Sequence, residues 1–214
     1  MPRGGQPPLS DLAVFGGGSL LALSGIGRAA GAAAAQSLVD AGVSALMTFG
    51  MAGGLDPALE PGNVVLPREL IAADGVRYAA CRGWREQVAD SIRALRAVSE
   101  GNLLTSDRAI EKPADKAAAF RSTGAAAVDM ESAAVAEVAA RHNLPFIAVR
   151  VIVDTAADVL PRAVVAASIA GRVRFGRLLG GLILAPHEIA SLIRLTRRYR
   201  IAMHSLRTIG AHLA

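Results

Sequence analysis

The chain has 214 residues, of which 52% are apolar and 19% charged, so it can bury a sizeable core and is too apolar for a disordered or collagen-like protein. Its single cysteine, Cys81, cannot form an internal disulfide, and a metal site built on a cysteine cluster is excluded. The net charge of +5 is unevenly distributed: residues 1–158 carry 14 Lys or Arg against 17 Asp or Glu, whereas residues 159–214 carry nine arginines and one acid. Such a basic segment suits nucleic acid, anionic lipid or an acidic partner.

Apolar runs alternate along the chain with Ala-rich stretches of helical spacing, and this alternation predicts an α/β fold with a largely buried sheet. In chain order we predict strands at 20–23, 43–49, 63–67, 103–106 and 146–153. We predict helices at 28–41, 85–99, 113–121, 129–141 and 162–184. No linker rich in Pro, Ser or Gly divides the chain, so residues 1–214 are predicted to form a single domain.

The C-terminal segment 186–214 is predicted to be a basic amphipathic helix. The apolar positions that approximate one face are Ile189, Leu192, Ile193, Thr196, Met203 and Leu206. Packing on the domain or on another subunit and contact of the arginines with anionic headgroups explain this pattern equally well. No apolar tract reaches the roughly 18 residues of a membrane-spanning helix, and no secretory signal is evident. We therefore expect a cytoplasmic protein, with peripheral contact at the inner face of the membrane left open.

Glycine loops at 24–27 and 50–54 follow the first two predicted strands. Glycine lets a phosphate, carboxylate or ribose oxygen approach the backbone NH groups, and ligands of open α/β sheets gather at the carboxyl ends of strands. Each loop taken alone is also explained as a simple turn. The four histidines show no metal-ligand spacing, and neither Cys81 nor Ser24 lies in the context of a nucleophile.

Glu131 stands out on the predicted helix 129–141. Helical spacing places it with Ala134, Val135 and Val138 on the apolar stripe that should face the core. A buried carboxylate requires partners, and a site that holds sugar hydroxyls would supply them. The alternative is that Glu131 only favours the positive N-terminus of its helix.

Asp154 follows the predicted strand 146–153 directly. The two-residue period of a strand places it on one face with Arg150 and Ile152. One interpretation is a structural ion pair near the sheet edge, with Asp154 capping the next helix. The other is a general acid at the carboxyl end of a strand, with a pKa raised by burial.

Six segments together resemble the purine/uridine phosphorylase and nucleosidase superfamily, over roughly residues 20–160. They are SGIGRAAGAAAA at 24–35, GMAGG at 50–54, PGNVV at 61–65, LLTSD at 103–107, VDMES at 128–132 and VRVIVDTA at 149–156. The ordered set is far more specific than any one segment. With its Arg-rich C-terminus, the chain is most similar to the hopanoid-associated phosphorylases, which are thought to remove adenine from adenosylhopane.

The resemblance implies a single domain with a mixed central sheet surrounded by helices, and a role for each matching residue. Glu131 would hold the ribose hydroxyls, and Met130 would pack on the sugar. Asp154 would face the purine N7 and protonate, or hydrogen-bond to, the leaving base. Ala52 and Gly53 would line the purine pocket, beside Met51, where phosphorylases of the family often carry a serine.

Hydrolytic members of this superfamily place a glutamate on the first strand to activate water, and residues 1–55 contain no glutamate. Phosphate needs no such base, which favours phosphorolysis with inorganic phosphate as co-substrate. Gly25 and Arg28 are the predicted phosphate ligands. No other cofactor and no metal are expected.

The resemblance therefore implies an enzyme that cleaves the N-glycosidic bond of an adenosyl nucleoside or adenosyl-lipid, acting on adenosylhopane in hopanoid biosynthesis. The alternatives are a nucleosidase of the methylthioadenosine/adenosylhomocysteine type and a nucleoside-binding protein without catalysis. A homo-oligomer is implied by the resemblance. Nucleic acid is not an expected partner, because only 4% of the residues are aromatic and no base-reading motif is present.

Overall fold

A computed structural model describes residues 12–160 and 189–213. Eight strands form a mixed sheet in the order β6-β5-β8-β9-β3-β10-β4-β7, and β1 and β2 form a separate antiparallel hairpin. The strands are β1 (Leu12–Phe15), β2 (Ser19–Ala22), β3 (Leu46–Gly54), β4 (Val64–Val65), β5 (Glu69–Ile71), β6 (Arg77–Ala79), β7 (Val98–Ser99), β8 (Asn102–Thr105), β9 (Ala125–Asp129) and β10 (Phe146–Asp154). The helices are α1 (Arg28–Asp40), α2 (Arg82–Ile92), α3 (Pro113–Thr123), α4 (Ser132–Arg141) and α5 (Ile189–Leu213).

The predicted α/β class, with a mixed central sheet between helices, is confirmed. The central strands β3 and β10 run parallel, with Leu46 opposite Phe146. Successive side chains of β10 alternate between two apolar clusters. Ala148 lies in the cluster that includes residues of α1 and α4, whereas Val149 lies in the one that includes residues of α2 and α5. The sheet is therefore covered by helices on both faces, which explains the continuous apolar sequence of β10.

Several predicted boundaries were wrong. The helix predicted at 85–99 ends at Ile92, and Val98–Ser99 form β7. The strand predicted at 20–23 belongs to the β1–β2 hairpin outside the main sheet, and Leu23 is 84% exposed. The glycine loop predicted at 50–54 is the second half of β3. The helix predicted at 129–141 begins only at Ser132, because the alanine-rich residues before it form the buried strand β9. Alanine patterns that suit a helix here fill a narrow interior strand instead.

Helix α5 packs on the domain over its C-terminal half. Ala202 and Ile209 are fully buried beside residues of α2 and β10, and Leu206 and Leu213 are partly buried with them. This stripe differs from the predicted apolar face, since Met203 is outside the cluster. The described helices are each too short or too polar to cross a bilayer. The predicted helix 162–184 lies outside the described residues, and the single domain over 1–214 stays a prediction.

Candidate active site

The carboxyl ends of β3, β9 and β10 meet at one place in the sheet. Gly53 of β3 is opposite Val128 on one side and Asp154 on the other. Asp154 closes β10 beyond a register shift that begins at Ile152, so the strand is irregular just before its last residue. Such irregularities re-aim side chains near the ends of strands. The predicted pocket residues Ala52 and Gly53 thus lie next to the predicted acid, Asp154.

Asp154 is 3% exposed and is held by a lysine that the sequence analysis did not single out. The Lys116 ammonium group of α3 pairs with Oδ2 of Asp154 and donates a second hydrogen bond to the Thr155 carbonyl oxygen at 2.7 Å. Burial raises the pKa of Asp154, while the positive charges of Lys116 and of Arg198 on α5 oppose that rise. A carboxyl with a raised pKa can hold a proton for transfer at neutral pH.

Gly53 allows the carboxylate to lie close to the backbone of β3. A β-carbon at this position would lie 3.2 Å from Oδ2 and 3.3 Å from Oδ1 of Asp154. These separations are tighter than ordinary van der Waals contacts. The glycine thus leaves room beside the acid that any other residue would fill.

The loop after Asp154 is fixed at both ends. The backbone NH and hydroxyl of Thr155 donate to Asp158 at 2.7 and 2.8 Å, and Arg198 of α5 forms an ion pair with the same carboxylate. The Leu160 NH donates to the Glu111 carbonyl oxygen, just before α3. Both α3 and α5 therefore help to position the end of β10.

Arg150 does not pair with Asp154, so the interpretation of these two residues as one structural ion pair was wrong. Its guanidinium group, 4% exposed, binds Asp129 at 2.9 Å, and it also donates to the hydroxyls of Ser132 and Thr48. Asp129 in turn accepts the Thr105 hydroxyl hydrogen at 2.7 Å. Arg150 thereby ties β10 to β9, β3 and the start of α4.

Glu131 is the N-cap residue of α4, so the prediction that it lies within a helix and on its apolar stripe was wrong. Its side chain makes no cap bond to α4, and Oε1 accepts the Gly27 NH at 2.6 Å, at the start of α1. The Met130 NH donates to Oε2 at 3.3 Å. Burial raises the pKa of Glu131, and the bond from Gly27 opposes this effect. The structure thus brings the first glycine loop to the carboxylate predicted to hold the ribose.

The remaining predicted site residues are Met130, Met51, Arg28 and Gly25. Met130 and Met51 are partly buried, and Met51 packs in the cluster on the α2 and α5 face of the sheet. Arg28 is the first residue of α1 and forms an ion pair with Glu137 at 2.6 Å, on the surface of α4. A β-carbon on Gly25 would lie 3.3 Å from that of Ala30. The role of Arg28 and Gly25 as phosphate ligands stays a prediction.

Sequence reasoning missed Lys116 and Asp129. The signal for Lys116 was present, because helical spacing places it on one face of α3 with Ala119 and Phe120, which pack against a buried cluster. The signal for Asp129 was hidden because the predicted helix 129–141 began at this residue, whereas the structure places it at the end of β9. Among the described residues, no group of His, Cys, Asp and Glu is placed to hold a metal ion.

Comparison with known proteins identifies relatives with the same architecture. The chain is 27% identical over 161 residues to the 5'-methylthioadenosine/S-adenosylhomocysteine nucleosidase of Anoxybacillus flavithermus, covering 66% of this chain and 69% of that protein. It is 27% identical, with a TM-score of 0.62, to the nucleosidase of the same description from Colwellia psychrerythraea, solved in complex with adenine; the match covers 77% of this chain and 79% of that one. A futalosine hydrolase of Helicobacter pylori shares the fold, at 18% identity and a TM-score of 0.64 over 87% of this chain and 82% of that one.

A family model gives the broader assignment. The model described as the phosphorylase superfamily matches residues 13–184, which include β3, β9 and β10 with the groups at their ends. The predicted resemblance at the level of the superfamily is confirmed by this match, while similarity to the hopanoid-associated members in particular stays a prediction. The chain belongs to the phosphorylase superfamily.

Proposed function

We propose that this protein is an enzyme that cleaves the N-glycosidic bond of an adenosyl compound and releases adenine. The observation that carries the proposal is the buried Asp154, which lies beside Gly53 where three strand ends meet. Its raised pKa suits proton transfer to a leaving base. The relatives described as nucleosidases, one of them solved with adenine, support adenine as the base.

The proposed chemistry needs two kinds of stabilisation. As the bond between the sugar carbon and the purine nitrogen breaks, its electron pair passes to the base, and positive charge builds up on the ribose. Asp154 would give its proton to N7 of the departing purine. Glu131 would accept hydrogen bonds from the ribose hydroxyls, with Met130 packed on the sugar. The Gly27 NH already orients the Glu131 carboxylate from the start of α1.

We propose inorganic phosphate as the acceptor of the sugar. Residues 12–27, which include β1 and β2, contain no acidic side chain that would activate water as the first-strand glutamate of hydrolytic members does. A phosphate oxygen is already an anionic nucleophile, and its attack on the sugar carbon gives a sugar phosphate and free adenine. The loop with Gly25 and the adjacent Arg28 are the proposed phosphate ligands.

We also propose an adenosyl-lipid such as adenosylhopane as the natural substrate, with peripheral contact to an anionic membrane. Exposed arginines of α5 support this proposal, together with Tyr199 and Ile201, which are 50% and 44% exposed. A groove of about 980 Å³ is lined by the turn at 61–63 and by residues of α5, and its lining includes Arg96, Arg197 and Arg200. Cationic side chains beside exposed apolar ones suit the headgroup region of a bilayer.

The deciding experiment measures adenine release from methylthioadenosine, adenosine and an adenosylhopane extract, each with and without phosphate. Release only from the lipid and only with phosphate is the expected result. Release without phosphate would contradict phosphorolysis and favour a nucleosidase. Asp154→Asn should abolish release, since an amide cannot supply the proton, and full activity in that variant would refute the acid role. Saturable adenine binding without turnover of any compound would favour a nucleoside-binding protein.

Membrane contact has its own test. The full chain and a variant with Arg197→Glu and Arg200→Glu are sedimented with anionic and with neutral vesicles. Binding of the unmodified protein to anionic vesicles alone, lost in the variant, is expected. Equal recovery of both proteins in the supernatant would refute the membrane contact while leaving the chemistry intact.

A further inference from the structure

Lys116 lies fully inside the protein, with no exposed surface. It comes from the first turn and a half of α3, where Ala119 and Phe120 on the same face pack against a buried cluster. Its ammonium group has two partners among the described residues, the Asp154 carboxylate and the Thr155 carbonyl oxygen. Both partners lie at the end of β10, so one side chain joins α3 to the candidate acid.

A buried ion pair of this kind contributes little to the stability of a protein. Removing a lysine and an aspartate from water costs about as much free energy as their attraction returns, and apolar residues of similar volume often serve a core equally well. The pair is also placed where the chemistry is proposed, since the Asp154 carboxylate faces Gly53 rather than filling an ordinary core position. A role in the reaction explains both the cost and the location.

We propose that Lys116 is a positioning residue for Asp154, which holds the carboxyl group against Gly53 and sets the pH above which it no longer donates its proton. This inference rests on the proposed function and deepens it. In the reaction, the proton that reaches the purine leaves Asp154, and the resulting carboxylate is stabilised by the Lys116 ammonium. Lys116 therefore favours the product state of the proton transfer without touching the base.

The charges that face Asp154 give the sign of the effect. Burial raises its pKa, and the positive charges of Lys116 on α3 and of Arg198 on α5 lower it, although Asp158 partly offsets Arg198 through their ion pair. Without the lysine charge, less positive charge opposes the effect of burial on Asp154, so the pKa of Asp154 rises further. An acid works only while protonated, so the loss of activity at alkaline pH should move to higher pH.

The test compares Lys116→Met, Lys116→Arg and Lys112→Met in the full chain. Lys112 is the other lysine of the sequence and is the exposed N-cap residue of α3, so its variant controls for loss of a positive charge near that helix. The kcat and KM for adenine release are measured against pH. Lys116→Met should shift the alkaline limb upward by about one to three pH units and lower the maximal kcat, with KM little changed. Lys116→Arg and Lys112→Met should lose activity at the same alkaline pH as the wild type.

If the activity of Lys116→Met falls at the same alkaline pH as that of the wild type, the inference is overturned. If Lys116→Met fails to fold in a thermal melt, Lys116→Gln replaces it, because the amide keeps polar contacts without the charge. A second readout does not depend on turnover: the infrared band of the protonated Asp154 carboxyl, assigned by its loss in Asp154→Asn, is titrated in wild type and variant. A higher midpoint in the variant supports the inference, and an equal midpoint refutes it. If no adenosyl compound is cleaved by the wild type, the proposed function fails while this titration still decides the role of Lys116.

Discussion

The two charged residues of β10 are both buried, yet they are held in different ways. Arg150 is surrounded by a carboxylate and two hydroxyls from three separate elements, so its hydrogen-bonding groups are committed to the fold. Asp154, four residues later, pairs with one lysine and lies against the open position of Gly53. Both satisfy the requirement that a buried charge be paired. Only the second is the residue for which we propose a role in the reaction.

This difference supports a structural role for the Arg150 ion pair and the functional role proposed for the Asp154 ion pair. A buried network that satisfies every member rigidifies its surroundings. A titratable group with one charged partner and a strongly perturbed pKa is a candidate for chemistry. Both residues lie on the same strand, but the register shift before Asp154 breaks the two-residue alternation that would put them on one face, so their contacts decide their roles. Two glycines of β3, Gly50 beside Arg150 and Gly53 beside Asp154, offer matched positions for testing the distinction.

Gly50→Ala should have the largest effect on stability. The new methyl group would overlap the Arg150 guanidinium, whose partners on β9, α4 and β3 leave it no room to move aside. Displacing a buried charge from its partner costs about 3 kcal/mol or more. We expect the free energy of unfolding, measured in urea, to fall by that amount. Gly83→Ala in α2, where a β-carbon meets nothing within 4 Å, is the control. Equal stability of the two variants would show that the Arg150 network is adaptable.

Gly53→Ala should instead act mainly on activity. The added methyl group contacts both oxygens of Asp154 at 3.2 and 3.3 Å and Val128 at 3.5 Å, so a shift of a few tenths of an ångström relieves it. The expected loss of stability is about 1 kcal/mol. Because the carboxyl moves relative to the substrate, we expect adenine release to fall by about tenfold or more. Retained kcat with a large loss of stability would contradict the distinction between Asp154 and Arg150.

The same residues of β10 show what could be predicted from the sequence alone. Arg150 and Asp154 were conspicuous as polar residues in a strand buried on both sides. The prediction that they share one face was wrong, because a register shift precedes Asp154. Their partners were beyond reach, since Lys116 is separated from Asp154 by 38 residues and Asp129 from Arg150 by 21. Periodicity predicts the face of a residue only while the strand is regular, and it does not predict which distant residue lies beside it.

Glu131 shows a second kind of limit. It stood out in the sequence because the predicted helix put a carboxylate on an apolar stripe, but its location depended on where the helix begins. Five residues that suit either state, Ala125–Asp129, form a strand because they fit between β8 and β3 in the sheet. Tertiary context decides such short alanine-rich stretches. The bond from Gly27, 104 residues away, then gives Glu131 a setting that its own helix does not provide.

The smallest expected effect concerns Arg28, at the edge of the same region. Its ion pair with Glu137 is 45% and 36% exposed on the two side chains, so Arg28→Ala should change the free energy of unfolding by less than about 1 kcal/mol. If the Arg28 guanidinium releases Glu137 in order to bind phosphate, Arg28→Ala should have a second effect. It should raise the phosphate concentration that gives half-maximal adenine release. Glu137→Gln is the matched variant, because it removes the competing carboxylate and should lower that concentration. Opposite shifts in the two variants would place phosphate at the start of α1, beside the NH group that holds Glu131. An unchanged phosphate dependence in both would leave Arg28 as a surface ion pair and transfer the phosphate role to other residues.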